Sequence, residues 1–359
     1  MNLIDLKTLP KRDQHNSNGQ SSDPLITIAI PTYNRAQLVK DCVVSGLAQT
    51  YQNIEVMVSD NASPDDTLAV LKTVNDKRLR VLTSPKNVGA IENHAKCVRE
   101  ARGDYVVLMS DDNILDSDFL EKCVRLIRVE PGLPIVVAAY DNLVMDEFYE
   151  NERRVVPAIL SKKLSTGLMD STEVLREYFH GKISADSLSV VIRADVLRKN
   201  NRYTDAYLVA PDKATWIPAL LEGRAGLINE RCATYLVHDS SLSSQLAADD
   251  RLRDFCKMMD EISAIAAQKF PDRATQSNIK KWASRYLAYQ AMVTLVLYRR
   301  EGASMTDAVR KFWDWRQMLK RCTLMDFLAT ARLRSVGRIL LPAPLFRLSL
   351  ALGLGRLNR

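Results

Sequence analysis

The feature that most constrains this chain is an alternation between Ile26 and Tyr140. Short apolar runs take turns with amphipathic helical stretches, and polar residues follow the apolar runs directly. Ile26 to Ile30 reads as a strand, and Arg35 to Thr50 as a helix with Leu38, Cys42, Val43 and Leu47 on one face. Ile54 to Ser59 is the next strand. Ser63-Pro64-Asp65-Asp66 then reads as a helix start, with Ser63 as N-cap and Asp66 completing a capping-box pattern. Arg80 to Leu82 is a short strand, and Ala90 to Ala101 a helix stopped by Gly103. Tyr105 to Met109 is a wholly apolar strand, a helix runs from Ser117 to Val129, and Ile135 to Tyr140 closes the series. This β-α-β-α rhythm predicts an α/β fold with a doubly wound, mostly parallel sheet flanked by helices.

Open sheets of this kind bind ligands at the carboxyl ends of their strands. The conspicuous polar residues fall there: Thr32-Tyr33-Asn34-Arg35 after the first strand, Asp60-Asn61 after the second, Asp111-Asp112 after the fourth. The coincidence points to a site. No GxGxxG follows the first strand, no GxxxxGK[ST] exists, and no serine nucleophile elbow is present. A bound phosphate would need another neutraliser, and a divalent metal on carboxylates supplies one. Adjacent carboxylates such as Asp111 and Asp112 suit Mg²⁺ or Mn²⁺, which take oxygen ligands and bridge substrate phosphates. Such a pair also occurs as a plain solvated turn ahead of a helix.

Each other candidate carries the same two readings. Asp60 accepts hydrogen bonds from a base or ribose, or is a turn aspartate. Asp212 opens a helix after Pro211, as a first-turn acid or as a general base kept ionised by the helix N-terminus. His238 ends an apolar run and is a metal ligand, a phosphate contact or a structural histidine. Leu188 to Ile192 reads as a strand, Asp212 to Glu222 as a helix with Trp216, Ile217, Leu220 and Leu221 inward, and Ala233 to Val237 as a strand. Residues 141 to 187 resist pattern reading and are expected to lie over the site.

Together these segments resemble the family 2 glycosyltransferases of the GT-A fold. The likeness rests on Ile28-Ala29-Ile30-Pro31-Thr32-Tyr33-Asn34-Arg35, on Val58-Ser59-Asp60-Asn61-Ala62-Ser63-Pro64-Asp65-Asp66-Thr67, on Asn87-Val88-Gly89-Ala90, and on Gly103-Asp104-Tyr105 running into Met109-Ser110-Asp111-Asp112-Asn113. It covers residues 25 to 244. The resemblance implies a GT-A domain over residues 24–244 and an inverting transfer of a sugar from a nucleotide-diphosphate donor, UDP foremost, to a saccharide or lipid-linked acceptor in bacterial cell-surface polysaccharide or glycolipid assembly. It implies that Pro31, Thr32, Tyr33, Asn34, Arg35, Asp60, Asn87 and Asp111 hold the nucleotide. Asp112, with Asp111 and His238, would hold Mn²⁺ or Mg²⁺, and Asp212 would be the catalytic base. Ser110 stands where the first acid of the metal motif usually stands, Asn113 replaces a frequent fourth acid, and Pro211 replaces the usual Glu beside the base. Two other readings remain: a catalytically inactive nucleotide-sugar binder or assembly subunit, and a nucleotidyltransferase.

Charge divides the chain. The net charge is +7, yet from Arg251 onward 21 Lys/Arg face 8 Asp/Glu, a surplus of 13, so the first 250 residues carry about −6. Residues 245–359 read as a helical, basic region. Its apolar run Ile339 to Gly355 is flanked by Arg332, Arg334, Arg338, Arg356 and Arg359, which suggests an interfacial membrane contact through residues 331–359. No stacking aromatics are interleaved with the basic residues, so no nucleic acid is expected. Residues 1–23 are polar, without the apolar core of a signal peptide, and read as a flexible tail. Cys42, Cys97, Cys123, Cys232, Cys256 and Cys322 form no CxxC or Cys/His cluster and read as reduced thiols. The expected location is the cytoplasm, with peripheral attachment to the inner face of the membrane, and the reading allows a homo-oligomer.

Overall fold

The structure, a computed structural model, describes residues 23–145, 153–237, 248–300 and 302–331. The expected tail, residues 1–23, lies outside it except for Asp23, whose carboxylate pairs with Arg128 at 2.9 Å. His238 and residues 332–359 also lie outside the described residues.

Two compact units make up the chain. The first draws on Met1–Tyr207 and Pro211–Ser241, the second on Leu208–Ala210 and Leu242–Arg359. The first unit begins β1 (Ile26–Thr32), α1 (Ala36–Leu47), β2 (Ile54–Asp60), α2 (Thr67–Lys72), β3 (Leu79–Thr83), α3 (Ala90–Glu100) and β4 (Tyr105–Leu108). It continues with β5 (Ile114–Leu115), α4 (Phe119–Val129), β6 (Ile135–Met145), β7 (Arg153–Val156), β8 (Gly167–Met169) and α5 (Ser171–Phe179), then β9 (Val190–Arg193), α6 (Ala194–Lys199), α7 (Pro211–Ala219) and β10 (Ala225–Val237).

One sheet holds all ten strands, in the order β3-β2-β1-β4-β9-β6-β10-β5, with β7 on β6 and β8 on β10. The expected parallel arrangement holds for β3-β2-β1-β4 and for β6 with β10, while β9 runs antiparallel between β4 and β6. Strands β1 and β2 are buried along their whole length because helices cover both faces, which is why they read as continuous apolar runs. The core beneath them includes Ile26, Ile28, Ile30, Val56, Val58 and Val107, all fully buried, each worth about 2 kcal/mol of burial.

Two local readings are corrected. Helix α3 ends at Glu100, and Ala101 leaves it in an extended conformation, so Gly103 does not terminate the helix. Gly103 instead lets two backbones approach. A Cβ there would sit 2.6 Å from the Thr27 nitrogen and the Tyr105 oxygen, and the Gly103 N–H donates to Thr27 Oγ1 at 2.8 Å. Ser63 does not cap α2, which starts at Thr67 without a side-chain cap. Its hydroxyl is taken by the loop after β1, as described below.

The second unit contains α8 (Ala248–Lys269), α9 (Arg273–Arg300), α10 (Met305–Asp314) and α11 (Leu324–Ala331). Helices α8 and α9 pack against each other along buried Leu252, Met259, Ile262, Ile279, Ala283 and Leu287. Asp249 accepts from Lys311 at 2.6 Å and from the Trp315 indole at 2.7 Å. Buried Asp254 gathers the N–H groups of Leu208, Val209 and Ala210 at 2.6–3.0 Å, which fixes this short segment in the second unit. Among the described residues, no helix is long and apolar enough to cross a membrane.

Candidate active site

The parallel register sets the site. Thr32 at the end of β1 lies opposite Asp60 at the end of β2, and Asp60 lies opposite Thr83 at the end of β3. Pro31 still pairs with Ser59 of β2 but falls beyond Ala29, the last β1 residue paired with β4, so its missing N–H is tolerated on that side.

From there two loops tie to each other. Asn34 has φ of 57° and Ala62 of 60°, the left-handed region that costs a non-glycine residue on the order of 1 kcal/mol. Hydrogen bonds between the loops hold both. The Asn34 N–H donates to Ser63 Oγ at 2.9 Å, the Arg35 N–H to Thr67 Oγ1 at 3.2 Å, and the Ala36 N–H to Asp65 Oδ2 at 3.0 Å. The Ser63 N–H reaches both oxygens of fully buried Asp60 at 3.3 Å. This is why Ser63 is unavailable as a helix cap: a partner distant in sequence claims its hydroxyl.

Asn61 secures a third loop. Its amide donates to Asn87 Oδ1 at 2.9 Å, and its own oxygen accepts from the Val88 N–H at 2.9 Å. The Asn87 carboxamide oxygen also accepts from the Gly89 N–H at 2.8 Å. Asn93 on α3 fastens the strands beneath: its oxygen accepts from Ser59 Oγ at 2.7 Å, and its amide donates to the Ser59 carbonyl at 2.9 Å. A longer bond, 3.4 Å, joins the same amide to the Thr32 carbonyl.

The acidic turn after β4 is joined to β1. Thr32 Oγ1 donates to Asp111 Oδ2 at 2.6 Å, and Asp111 is 8% exposed. Burial pushes the Asp111 carboxyl up to about 6, helped by the negative charge of Asp112. The Thr32 hydrogen bond and the positive charge of Arg35 oppose the rise. Asp112 is half-buried, more open than Asp111. Asn113 faces inward, its oxygen accepting from the Leu236 N–H at 3.2 Å, so it braces β10.

A second cluster surrounds Asp212 in the first turn of α7. Lys213 Nζ lies 2.6 Å from Asp186 Oδ2 and 3.4 Å from Asp212 Oδ2. Asp212 is held below the usual carboxylate range. Burial alone would raise it, but the Lys213 charge, a hydrogen bond from Asp186 and the Lys213 N–H outweigh burial. His94 on α3 stacks on Tyr203 with ring centroids 4.9 Å apart, and burial pushes its imidazole below the ordinary value although the Asp212 charge pulls the other way.

Helix α3 therefore meets both clusters through adjacent residues, Asn93 toward Thr32 and His94 toward Asp212. Thr32, Arg35, Asp111 and Asp112 come together at the ends of β1 and β4, and Asn34, Asp60 and Asn87 belong to the loops beside them. Tyr33 is 42% exposed at the surface of the first loop. The reading of residues missed Asp186, Lys213, His94 and Tyr203. Three of these are polar residues without a motif, and only the adjacency of Lys213 to Asp212 was visible in the sequence.

Among the described residues, no group of three metal-ligating side chains converges. Asp111 and Asp112 nonetheless fit one divalent cation that takes its other ligands from diphosphate oxygens and water, because a cation would relieve the repulsion and desolvation that raise Asp111.

Residues 27–187 match the family described as Glycosyl transferase family 2. The chain is 35% identical over 123 residues to the chondroitin synthase of Escherichia coli, which covers 33% of this chain and 18% of that protein. It is 30% identical over 165 residues to the hyaluronan synthase of Pasteurella multocida, covering 45% of this chain and 16% of that protein. The chain thus spans less than a fifth of the length of these relatives. Among solved structures, S. aureus TarS 1-349 in complex with UDP is similar at a TM-score of 0.59 and 16% identity, over 92% of this chain and 88% of that one. The same TarS segment in complex with UDP-GlcNAc gives 0.58 and 15%, over 87% and 92%. These likenesses establish the GT-A fold.

Proposed function

We propose that this chain, whose residues 27–187 match glycosyl transferase family 2, is a metal-dependent, inverting enzyme that moves a sugar from a nucleoside diphosphate to an acceptor hydroxyl. The observation that carries the reading is that Thr32 ties the end of β1 to Asp111 of the acidic turn, beside the interlocked loops that carry Asn34, Asp60 and Asn87. Pro31 to Arg35, Asp60, Asn87 and Asp111 hold the nucleotide, and the bonds between their loops set the cradle's shape. The UDP and UDP-GlcNAc held by the TarS structures support a uridine nucleotide. Asp112 and Asp111 would hold Mn²⁺ or Mg²⁺, which supplies positive charge to the departing diphosphate. His238 remains the proposed third protein ligand.

The reaction is a single displacement. Asp212 accepts the proton of the acceptor hydroxyl, whose oxygen bonds to the anomeric carbon as the bond from that carbon to the diphosphate oxygen breaks. The helix N-terminus and Lys213 keep Asp212 ionised for this task. The acceptor is a growing saccharide or a lipid-linked saccharide, in keeping with the polysaccharide synthases that the chain resembles.

Melting temperature measured against a panel of nucleoside diphosphates, with and without Mn²⁺, tests the donor site. A ligand at 100 times its dissociation constant adds about 2.7 kcal/mol. One uridine nucleotide is expected to raise the midpoint in the presence of metal, and no shift with any nucleotide would sink the reading. Residues 331–359 are proposed to rest on an anionic membrane surface, and a chain ending at Thr330 should then leave the membrane fraction. If the shortened chain fractionates like the full one, the tail is not the anchor.

A further inference from the structure

We propose that the outer face of α10, carrying Met305, Val309 and Trp313, is a docking surface for an anionic membrane. This goes beyond the attachment proposed for residues 331–359, because it assigns the contact to a folded helix of the second unit, and the two can fail separately.

Helix α10 is anchored through one face. Ala308 is buried, the Phe312 ring meets Phe327 of α11 with centroids 5.3 Å apart, and Lys311 Nζ lies 2.6 Å from Asp249 Oδ2. Its start is capped reciprocally: the Asp307 N–H donates to Ser304 Oγ at 3.1 Å, and the Ser304 N–H to Asp307 Oδ2 at 3.0 Å. Four-residue steps along a helix drift by about 40°, so Met305, Val309 and Trp313 form one stripe about 80° wide beside the packed face. Val309 is 63% exposed and Trp313 66%. The first turn of α11 adds Leu324 and Met325, 74% and 62% exposed. A helix that only packed through one face would be polar at these positions. Apolar side chains gathered on one exposed face mark a surface that another body covers.

Charge decides what that body is. The Arg316 guanidinium lies over the Trp313 ring, 5.4 Å from its centroid, and donates to the Trp313 carbonyl at 3.0 Å. Arg310 and Lys320 are exposed as well. A second copy seated on this face would set these cations against their own kind. The chain's own apolar run, Ile339 to Gly355, is no better matched, since residues 332–359 hold six arginines and no acid. An anionic lipid surface complements both features. Its acyl boundary takes the apolar stripe, its headgroups meet Arg310, Arg316 and Lys320, and the indole of Trp313 suits the border between the two.

The test uses the full chain and phosphatidylcholine vesicles with or without phosphatidylserine. Of the four tryptophans, Trp216 and Trp315 are buried, Trp282 is half-buried and Trp313 is exposed. Brominated lipid should therefore quench part of the tryptophan emission when the vesicles carry phosphatidylserine. Trp313→Phe should remove that quenching while the chain still sediments with the vesicles. Val309→Glu should weaken binding by about tenfold or more, and Arg316→Gln by about fivefold. Raised salt should weaken the wild type too. Both side chains are exposed, so these variants should melt like the wild type. Vesicle binding with Trp313 unquenched and Val309→Glu unimpaired would overturn the α10 surface and leave the tail as the anchor. No binding to anionic vesicles would overturn both. A dimer in solution that Val309→Glu dissociates would overturn the membrane as occupant and assign the face to a second copy. None of these readouts needs donor or acceptor, so their outcome is separate from that of the catalytic reading.

Discussion

Replacing Asp212 with Asn lowers kcat by about a thousandfold and leaves the KM for the donor within about threefold. The amide has the shape of the carboxylate and still receives Asp186 and Lys213, but it cannot take a proton from an acceptor hydroxyl. The loss therefore falls on the chemical step and spares nucleotide binding, which is proposed to lie with the loops after β1, β2 and β4. The thermal midpoint should hold, because Lys213 keeps its 2.6 Å contact with Asp186. Turnover with the isolated donor and a saccharide acceptor decides the matter. A tenfold loss or less would place the base elsewhere. The product of the unaltered enzyme should carry the inverted anomeric centre, and retained configuration would remove Asp212 from the mechanism altogether.

Asp112→Asn should abolish the metal-dependent part of nucleotide binding and cut kcat/KM by about a thousandfold, roughly 4 kcal/mol of transition-state stabilisation. Asp112 is the more open member of the acidic pair, while the 2.6 Å bond from Thr32 already engages one oxygen of Asp111. The two substitutions should therefore differ in kind. Asp112→Asn should melt like the wild type without ligand and fail to respond to nucleotide with Mn²⁺. Asp111→Asn should soften the joint between β1 and the turn after β4 as well. If Asp112→Asn responds to nucleotide and Mn²⁺ like the wild type, metal binding by this turn is ruled out.

Much of the first unit was legible because its strands are buried on both faces. A fully covered parallel strand is largely apolar, so Ile26–Thr32, Ile54–Asp60 and Tyr105–Leu108 stand out as runs, and the polar residues that end or follow them mark the carboxyl edge of the sheet. Helix α7 was legible from its buried face, with Trp216 and Ile217 inward, although it ends at Ala219 and the equally buried Leu220 and Leu221 belong to a 3₁₀ turn that follows. What misled was local chemistry that fits two partners. Ser63 followed by Pro64 is as good a helix start as a sequence offers, yet its hydroxyl faces the Asn34 N–H. Gly103 after a helix looks like a terminator, yet it sits where a Cβ would strike the backbone of β1. Asn113 follows the acid pair and braces β10. The reversed strand β9 was legible as a strand, but its direction was not, since apolar periodicity is the same read either way.

By itself the sequence determined the layered α/β architecture and the polar residues that follow its strands, the acids Asp111 and Asp112 among them, because burial and chain connectivity leave their signature in residue order. Only the tertiary structure decided the company those acids keep. Asp186 meets Asp212 across 26 positions of chain and Thr32 meets Asp111 across 79, and His94 reaches the Asp212 cluster from a helix on the far side in sequence. Local sequence records the partners that periodicity brings near, three or four residues apart in a helix and two in a strand. The proton balance of a carboxyl depends on whatever charge lies within a few ångströms, and only folding places it there.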